Sequence, residues 1–249
     1  MSLYTLTSFV AIVNVTMFII ELIVGGAKFD GAFVKGNDMG GPSAVTLCNM
    51  GGKWEPSIRA GHVWRLFTAT LLHAGILHIL GNMFFLLRFG YITELRWGRP
   101  RWAAIYFWAG IMASIWSTVL GPKNVGVGAS GALFGLVGAD MAYLAYNWNE
   151  IPDNRQEAFL LAIVTVMNFL FGISSNIDNW AHLGGLIGGL CLGLAIPPHL
   201  VQRTQETIIR WASGLLFAGL FLLFLLLTYV GNPWPEYDEY GYPSSCPTL

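Results

Sequence analysis

Gly128-Ala129-Ser130-Gly131-Ala132-Leu133-Phe134-Gly135-Leu136-Val137-Gly138 opens an apolar run that continues to Trp148. The length of the run and the helical spacing of its glycines predict a membrane-crossing helix with a serine hydroxyl at its head. About fifty residues later, Trp180-Ala181-His182-Leu183-Gly184-Gly185 heads a second such run. A hydroxyl and an imidazole, each at the start of a glycine-lined helix, point to nucleophilic catalysis inside a bilayer.

Composition agrees with that medium. Of 249 residues, 55% are hydrophobic and 11% charged, whereas a soluble domain carries about a quarter charged. The net charge of -1 gives no reason to expect nucleic acid as a partner. Cys48, Cys191 and Cys246 lack metal-ligand spacing, and no metal or cofactor is expected. The first apolar stretch is long and has no basic leader. It reads as an uncleaved signal anchor, and the absence of an Arg/Ser-rich start argues against a transit peptide.

Seven apolar runs organise the chain as an all-α polytopic membrane protein. They cover about Tyr4–Gly25, Phe67–Phe89, Trp102–Leu120, Ser130–Trp148, Ala158–Ile173, Trp180–Ile196 and Ile208–Val230. The division expected is a core over residues 1–200 with a long first loop at 26–64, a seventh transmembrane helix within 201–230, and an irregular tail at 231–249. Arg88, Arg96, Arg99, Arg101, Arg155, Arg203 and Arg210 fall on one side, mostly in short connections. Lys28, Lys35, Lys53, Arg59, Arg65 and Lys123 fall on the other, mostly in the long loop. The positive-inside rule weights short loops, so the N-terminus is assigned to the cytosol and Ser130, His182 and the C-terminus to the lumenal or extracellular face. Cys48 and Cys246 then share the oxidising side, where a disulfide would pin the tail to the first loop; two free thiols are the alternative.

Ser130 and His182 fall at one predicted depth, at the outer ends of their helices. Gly131, Gly135 and Gly138 on one helix, and Gly185 and Gly189 on the other, would let the two approach closely. A helix starting at Ser130 presents free backbone N–H groups and a positive dipole end, which suit a developing oxyanion. His78 and Asn82, four residues apart, share a helix face and could donate to the same oxyanion. Polar groups inside a span usually face the protein interior. Trp64-Arg65 reads as an anchor of the first loop at the membrane surface, with Trp54 and Phe33 dipping in nearby. Glu94 reads as structural, a cap or a partner of the arginines around it. Asp140, deep in the Ser130 run, is expected to bond a neighbouring helix or to face a cytosolic cavity, without a partner evident from the sequence.

These stretches, taken in order, resemble the rhomboid family of intramembrane serine proteases. The matching pieces are Gly41-Pro42-Ser43 with Thr46-Leu47, Trp64-Arg65, His78 with Asn82, Gly128-Ala129-Ser130-Gly131, and Ala181-His182-Leu183-Gly184-Gly185 with Gly189. The resemblance implies a six-helix bundle with an additional C-terminal transmembrane helix, as in the secretory-pathway type of eukaryotes. It places the chain in the secretory pathway or plasma membrane. It implies Ser130 as nucleophile and His182 as base, in a dyad without an acidic third member, with His78, Asn82 and the Ser130 N–H at the oxyanion. Gly128, Gly131, Phe134, Gly185 and Gly189 would support that site. Phe134 stands where relatives often carry a tyrosine stacked on the base. Gly81 replaces a residue that is usually bulky, which predicts a looser contact between the second and fifth spans and easier sideways access.

The expected activity is serine endopeptidase cleavage of the transmembrane segments of single-pass proteins, releasing lumenal or extracellular fragments. Oligomeric state is open. The rival readings are a catalytically silent rhomboid-like protein that binds membrane clients, disfavoured by the retained serine and histidine, and a transporter, which would show inverted repeats. A zinc protease would need His-Glu-x-x-His, and an aspartyl protease a partner for Asp140.

Overall fold

The computed structural model describes residues 5–121, 124–174, 177–198, 206–230 and 246. The expected core boundary at 200 and the tail at 231–249, apart from Cys246, lie outside the described residues.

Helix α1 (Leu6–Lys28) starts where the Thr5 hydroxyl accepts the Ser8 N–H. The first loop carries α2 (Ala44–Asn49), capped by the Ser43 hydroxyl, then α3 (Glu55–Arg59) and α4 (Arg65–Thr68), with a 3-10 turn at Ala69–Leu71. Next come α5 (Ile76–Phe85), a π turn at Leu86–Gly90, and α6 (Tyr91–Trp97), which run on without interruption. They are followed by α7 (Arg99–Leu120), α8 (Ser130–Tyr146), α9 (Asn154–Ser174), α10 (Asn179–Ala195) and α11 (Glu206–Val230).

By length and composition, Leu6–Lys28, Ile76–Trp97, Arg99–Leu120 and Glu206–Val230 are able to cross a membrane. Helices α8 and α10 have 17 residues each, about 26 Å at 1.5 Å per residue. That is slightly short of a hydrocarbon core of about 30 Å. They can afford it because protein, rather than lipid, surrounds them. Helix α10 lies along α8, and α7 packs on both. A methyl group at Gly185 would run into the Gly131 carbonyl oxygen, and one at Gly189 into that of Gly135. Backbone-to-backbone contact at two successive turns locks the register of these two helices.

Leu133, Leu136 and Ala139 of α8 meet Trp102, Ile105 and Tyr106 of α7, and Val10 and Phe18 of α1, in the main core. Helix α11 closes one side, with Phe224 stacked on Trp116 at 4.3 Å between ring centroids. Helix α9 is attached more loosely. Leu161 is buried, while Phe159, Leu160, Ile163 and Val166 are exposed, an apolar face suited to lipid.

The second span departs from the sequence expectation at both ends. It begins at Ile76, not Phe67, because Leu72 and Gly75 are extended and the His73 N–H is drawn to the Glu21 carboxylate at 3.2 Å. It continues past Phe89 to Trp97, carrying Glu94 into the interior. There Glu94 accepts from Leu6 N–H, Thr7 N–H and the Thr7 hydroxyl at 3.0, 2.7 and 2.6 Å, and faces Arg99 at 3.4 Å. Glu94 thus caps α1 as well as pairing with an arginine.

Asp140, fully buried, accepts from Trp97 Nε1 at 2.9 Å, the Thr93 hydroxyl at 3.0 Å and Arg96 at 3.2 Å. Arg96 also pairs with Glu157, so one arginine joins α6, α8 and α9. Arg65 is an internal staple instead of a surface anchor: it is buried and donates to the Cys48 and Gly52 carbonyls at 2.6 and 3.0 Å. Trp64 beside it is exposed. Cys48 and Cys246 are joined as a disulfide, with Cα atoms 5.6 Å apart, and Cys191 is a buried free thiol.

Candidate active site

Ser130 is the first residue of α8, and the segment leading into it is extended. Gly126 exchanges backbone hydrogen bonds with Lys53 at 2.8 and 2.9 Å, in an isolated antiparallel bridge. Two residues on, the Gly128 N–H donates to Ala69 O at 2.9 Å. Gly128 has φ of +126°, a left-handed conformation that suits glycine. The first backbone bond of the helix runs from Leu133 N–H to Ala129 O at 3.0 Å. Earlier N–H groups, that of Ser130 among them, therefore have no helical acceptor.

Helix α10 starts at an Asp178 cap. Its carboxylate accepts the Ala181 N–H at 3.0 Å, and its backbone carbonyl accepts the His182 N–H at 3.1 Å. His182 is thereby held in the first turn, and its Nε2 lies 2.9 Å from Ser130 Oγ. With the ring proton on Nδ1, Nε2 accepts from the serine hydroxyl. His182 Nδ1 has no partner among the described residues. The nearby carboxylate, Asp178, is engaged by Ala181 and by the Ser117 hydroxyl, not by the ring.

Phe134, one turn into α8, stacks on His182 with centroids 4.4 Å apart and planes at 19°. Sequence reading missed the next ring: Phe169 of α9 packs edge-on against Phe134 at 5.7 Å and against His182 at 6.4 Å. No motif marks it, since a phenylalanine in an apolar helix carries no local signal.

His78 and Asn82 of α5 lie against Gly128. A Cβ at Gly128 would come within 2.9 Å of His78 Nε2 and 3.6 Å of Asn82 Nδ2. The Ala74 N–H donates to His78 Nδ1 at 3.2 Å, which leaves the ring proton on Nε2, on the Gly128 side. Asn82 is buried and its Nδ2 is without a partner among the described residues. Two side-chain donors thus converge beside the backbone that enters Ser130. Gly81, between these residues, is exposed, with nothing within 4 Å of its Cβ position.

Lys53 is a further residue that the sequence did not single out for this site. It is 1% exposed, and its Nζ donates to Gly121 O at 2.9 Å, at the end of α7. Burial pulls its pKa down to about 8, against the opposing attraction of Asp178 and then Glu55. Burial also lowers the pKa of Arg65.

Residues 60–199 match the family model of the rhomboid domain. The chain is 37% identical to RHOMBOID-like protein 7 of Arabidopsis thaliana, over 82% of this chain and 70% of that one. It is 36% identical to Inactive RHOMBOID-like protein 8 of the same plant, over 61% of this chain and 43% of that one. With Rhomboid-like protease 1 of Toxoplasma gondii the identity is 35%, over 70% of this chain and 60% of the other. The chain therefore spans between less than half and about 70% of these relatives' lengths. A domain match over more than half of the chain, together with four helices among the described residues that are long and apolar enough to cross a bilayer, makes this an integral membrane protein that belongs to the rhomboid family.

Proposed function

We propose that this protein is an intramembrane serine endopeptidase acting through a Ser130–His182 dyad on the transmembrane segments of single-pass proteins. The observation that carries the reading is the 2.9 Å contact between His182 Nε2 and Ser130 Oγ, made across two helices that touch backbone to backbone. In the proposed reaction Ser130 Oγ attacks the scissile carbonyl and His182 Nε2 takes its proton. Asn82, His78 and the Ser130 N–H donate to the oxyanion. His182 then protonates the leaving amine, and water hydrolyses the acyl-enzyme. His182 must be neutral to act as base, so activity falls toward acidic pH.

A substrate helix must come in sideways and partly unwind, because a helical amide is hydrogen-bonded and hidden. Small or helix-weakening residues near the cut are therefore favoured. The loosely attached α9 and the open space at Gly81 support access between α5 and α9.

The proposed topology has the N-terminus cytosolic and the site facing the lumen or cell exterior. The Cys48–Cys246 pair supports it, since disulfides persist on the oxidising side. The proposed division remains a core to about residue 200, then α11 and the tail. A relative named inactive raises the alternative of a silent client-binding protein; the retained serine and histidine, in hydrogen-bond contact, favour hydrolysis.

The test is reconstitution in liposomes with a tagged single-span substrate. The wild type should release the ectodomain fragment, and Ser130→Ala and His182→Ala should not. Release that survives either substitution overturns the proposal.

A further inference from the structure

The serine and the histidine sit on different helices, and each is reached through a short non-helical segment. On the serine side, Gly126 is paired to Lys53 through both backbone groups. On the histidine side, Asp178 holds Ala181 and His182 by two interactions, its carboxylate accepting the Ala181 N–H and its carbonyl the His182 N–H, while the carboxylate also accepts the Ser117 hydroxyl of α7. The Lys53 side chain runs between them. A Cβ at Gly126 would stand 2.7 Å from Lys53 Cε and 3.4 Å from Asp178 Oδ2, so the lysine stem and the carboxylate meet over the same glycine. The ammonium ends on Gly121 O, where the negative end of α7 favours a cation. Taking an ammonium out of water is costly unless opposite charge and hydrogen bonds compensate. Plain packing here would be met as well by methionine.

We propose that Lys53 and Asp178 act as one pair of positioning residues, registering the strand that enters Ser130 against the first turn of the His182 helix. The inference rests on the Ser130–His182 reading and deepens it: the long first loop, through Lys53, becomes part of the apparatus that sets the dyad. The charged groups facing the ammonium are Asp178 at the start of α10 and Glu55 at the start of α3. Arg65, the neighbouring cation, is occupied by the Cys48 and Gly52 carbonyls. At pH 7 Lys53 is charged and attracted to Asp178; above about pH 8 it becomes neutral and that attraction is lost.

The experiment compares the wild type with Lys53→Met, Asp178→Asn, the double variant and Lys53→Arg, all full length in proteoliposomes from pH 6.5 to 9.5. The readouts are the rate of fluorophosphonate labelling at Ser130 and kcat and KM for a single-span substrate. Lys53→Met and Asp178→Asn should each lose roughly tenfold in labelling rate and kcat, with KM within about twofold. The double variant should be no slower than the slower single variant, as expected of one unit. The wild type should lose rate on the alkaline side with a midpoint near pH 8; the two single variants should lack that limb. Lys53→Arg, a permanent cation, should keep the neutral rate and also lack the limb, and it carries the comparison if Lys53→Met does not fold. Additive losses in the double variant, or the same alkaline limb in Lys53→Arg as in the wild type, overturn the proposal. A wild type that neither labels nor cleaves at any pH overturns the hydrolase reading first, and the pair's role with it.

Discussion

Gly185→Ala is the substitution that most sharply probes how helix packing sets the chemistry. A methyl group there would overlap the Gly131 carbonyl oxygen and lie 2.9 Å from the carbonyl carbon. A carbon–oxygen contact needs about 3.3 Å and the methyl would start at 2.0 Å from that oxygen, so α8 and α10 must part locally by about 1.3 Å. Ser130 precedes Gly131 directly, and His182 lies one turn before Gly185. The same parting therefore opens the 2.9 Å hydroxyl–imidazole contact to about 4 Å, outside hydrogen-bond range. Misplacement on that scale costs on the order of 10²-fold in rate, and overpacking a filled interface costs about 1–3 kcal/mol of stability. Fluorophosphonate labelling of Ser130, run beside a thermal unfolding midpoint in the same detergent, separates the two effects. A folded Gly185→Ala protein that labels at the wild-type rate would show that the dyad does not depend on the close contact of the two helices.

The other variants each address one named feature. Asn82→Ala removes an unpartnered buried donor and should cut kcat by about 10²–10³ with KM little changed; a loss confined to KM would remove Asn82 from the oxyanion. Gly81→Phe fills the open space beside α5 and should slow cleavage of a transmembrane substrate by roughly tenfold while a small fluorophosphonate labels Ser130 normally. Equal effects on both readouts would count against sideways access there. Asp140→Leu strands the Trp97 and Thr93 donors and half of the Arg96 pairing. It should lower unfolding stability by about 3 kcal/mol, and an unchanged midpoint would mean the buried cluster contributes little.

What could be read from sequence was whatever repeats locally or is spaced along a helix. The Ser130 and His182 helices announced themselves through apolar length and glycine spacing, and the approach of α8 to α10 through small residues at matching turns. Asp140 was opaque because its partners, Thr93, Arg96 and Trp97, lie more than forty residues upstream and meet it only through packing. The start of the second span was misplaced because hydropathy is blind to the extended backbone at Leu72 and Gly75. Arg65 next to a tryptophan looked interfacial, yet its guanidinium satisfies loop carbonyls that would otherwise be buried without donors. Lys53 was hidden for a related reason: a lysine in a polar loop reads as solvated until its strand partner Gly126, more than seventy positions away, is known. Asp178 had a legible signal, an aspartate just ahead of an apolar helix, which is a capping pattern.

If Ser130 is a nucleophile activated by His182, the hydroxyl must react selectively and only with the imidazole in place. The decisive measurement is to react the reconstituted protein with a fluorophosphonate and map the adduct by peptide mass spectrometry. One adduct is expected, on the peptide containing Ser130, absent from Ser130→Ala and lost or strongly slowed in folded His182→Ala. An adduct on another residue, or labelling of Ser130 at full rate without His182, would contradict that role for Ser130.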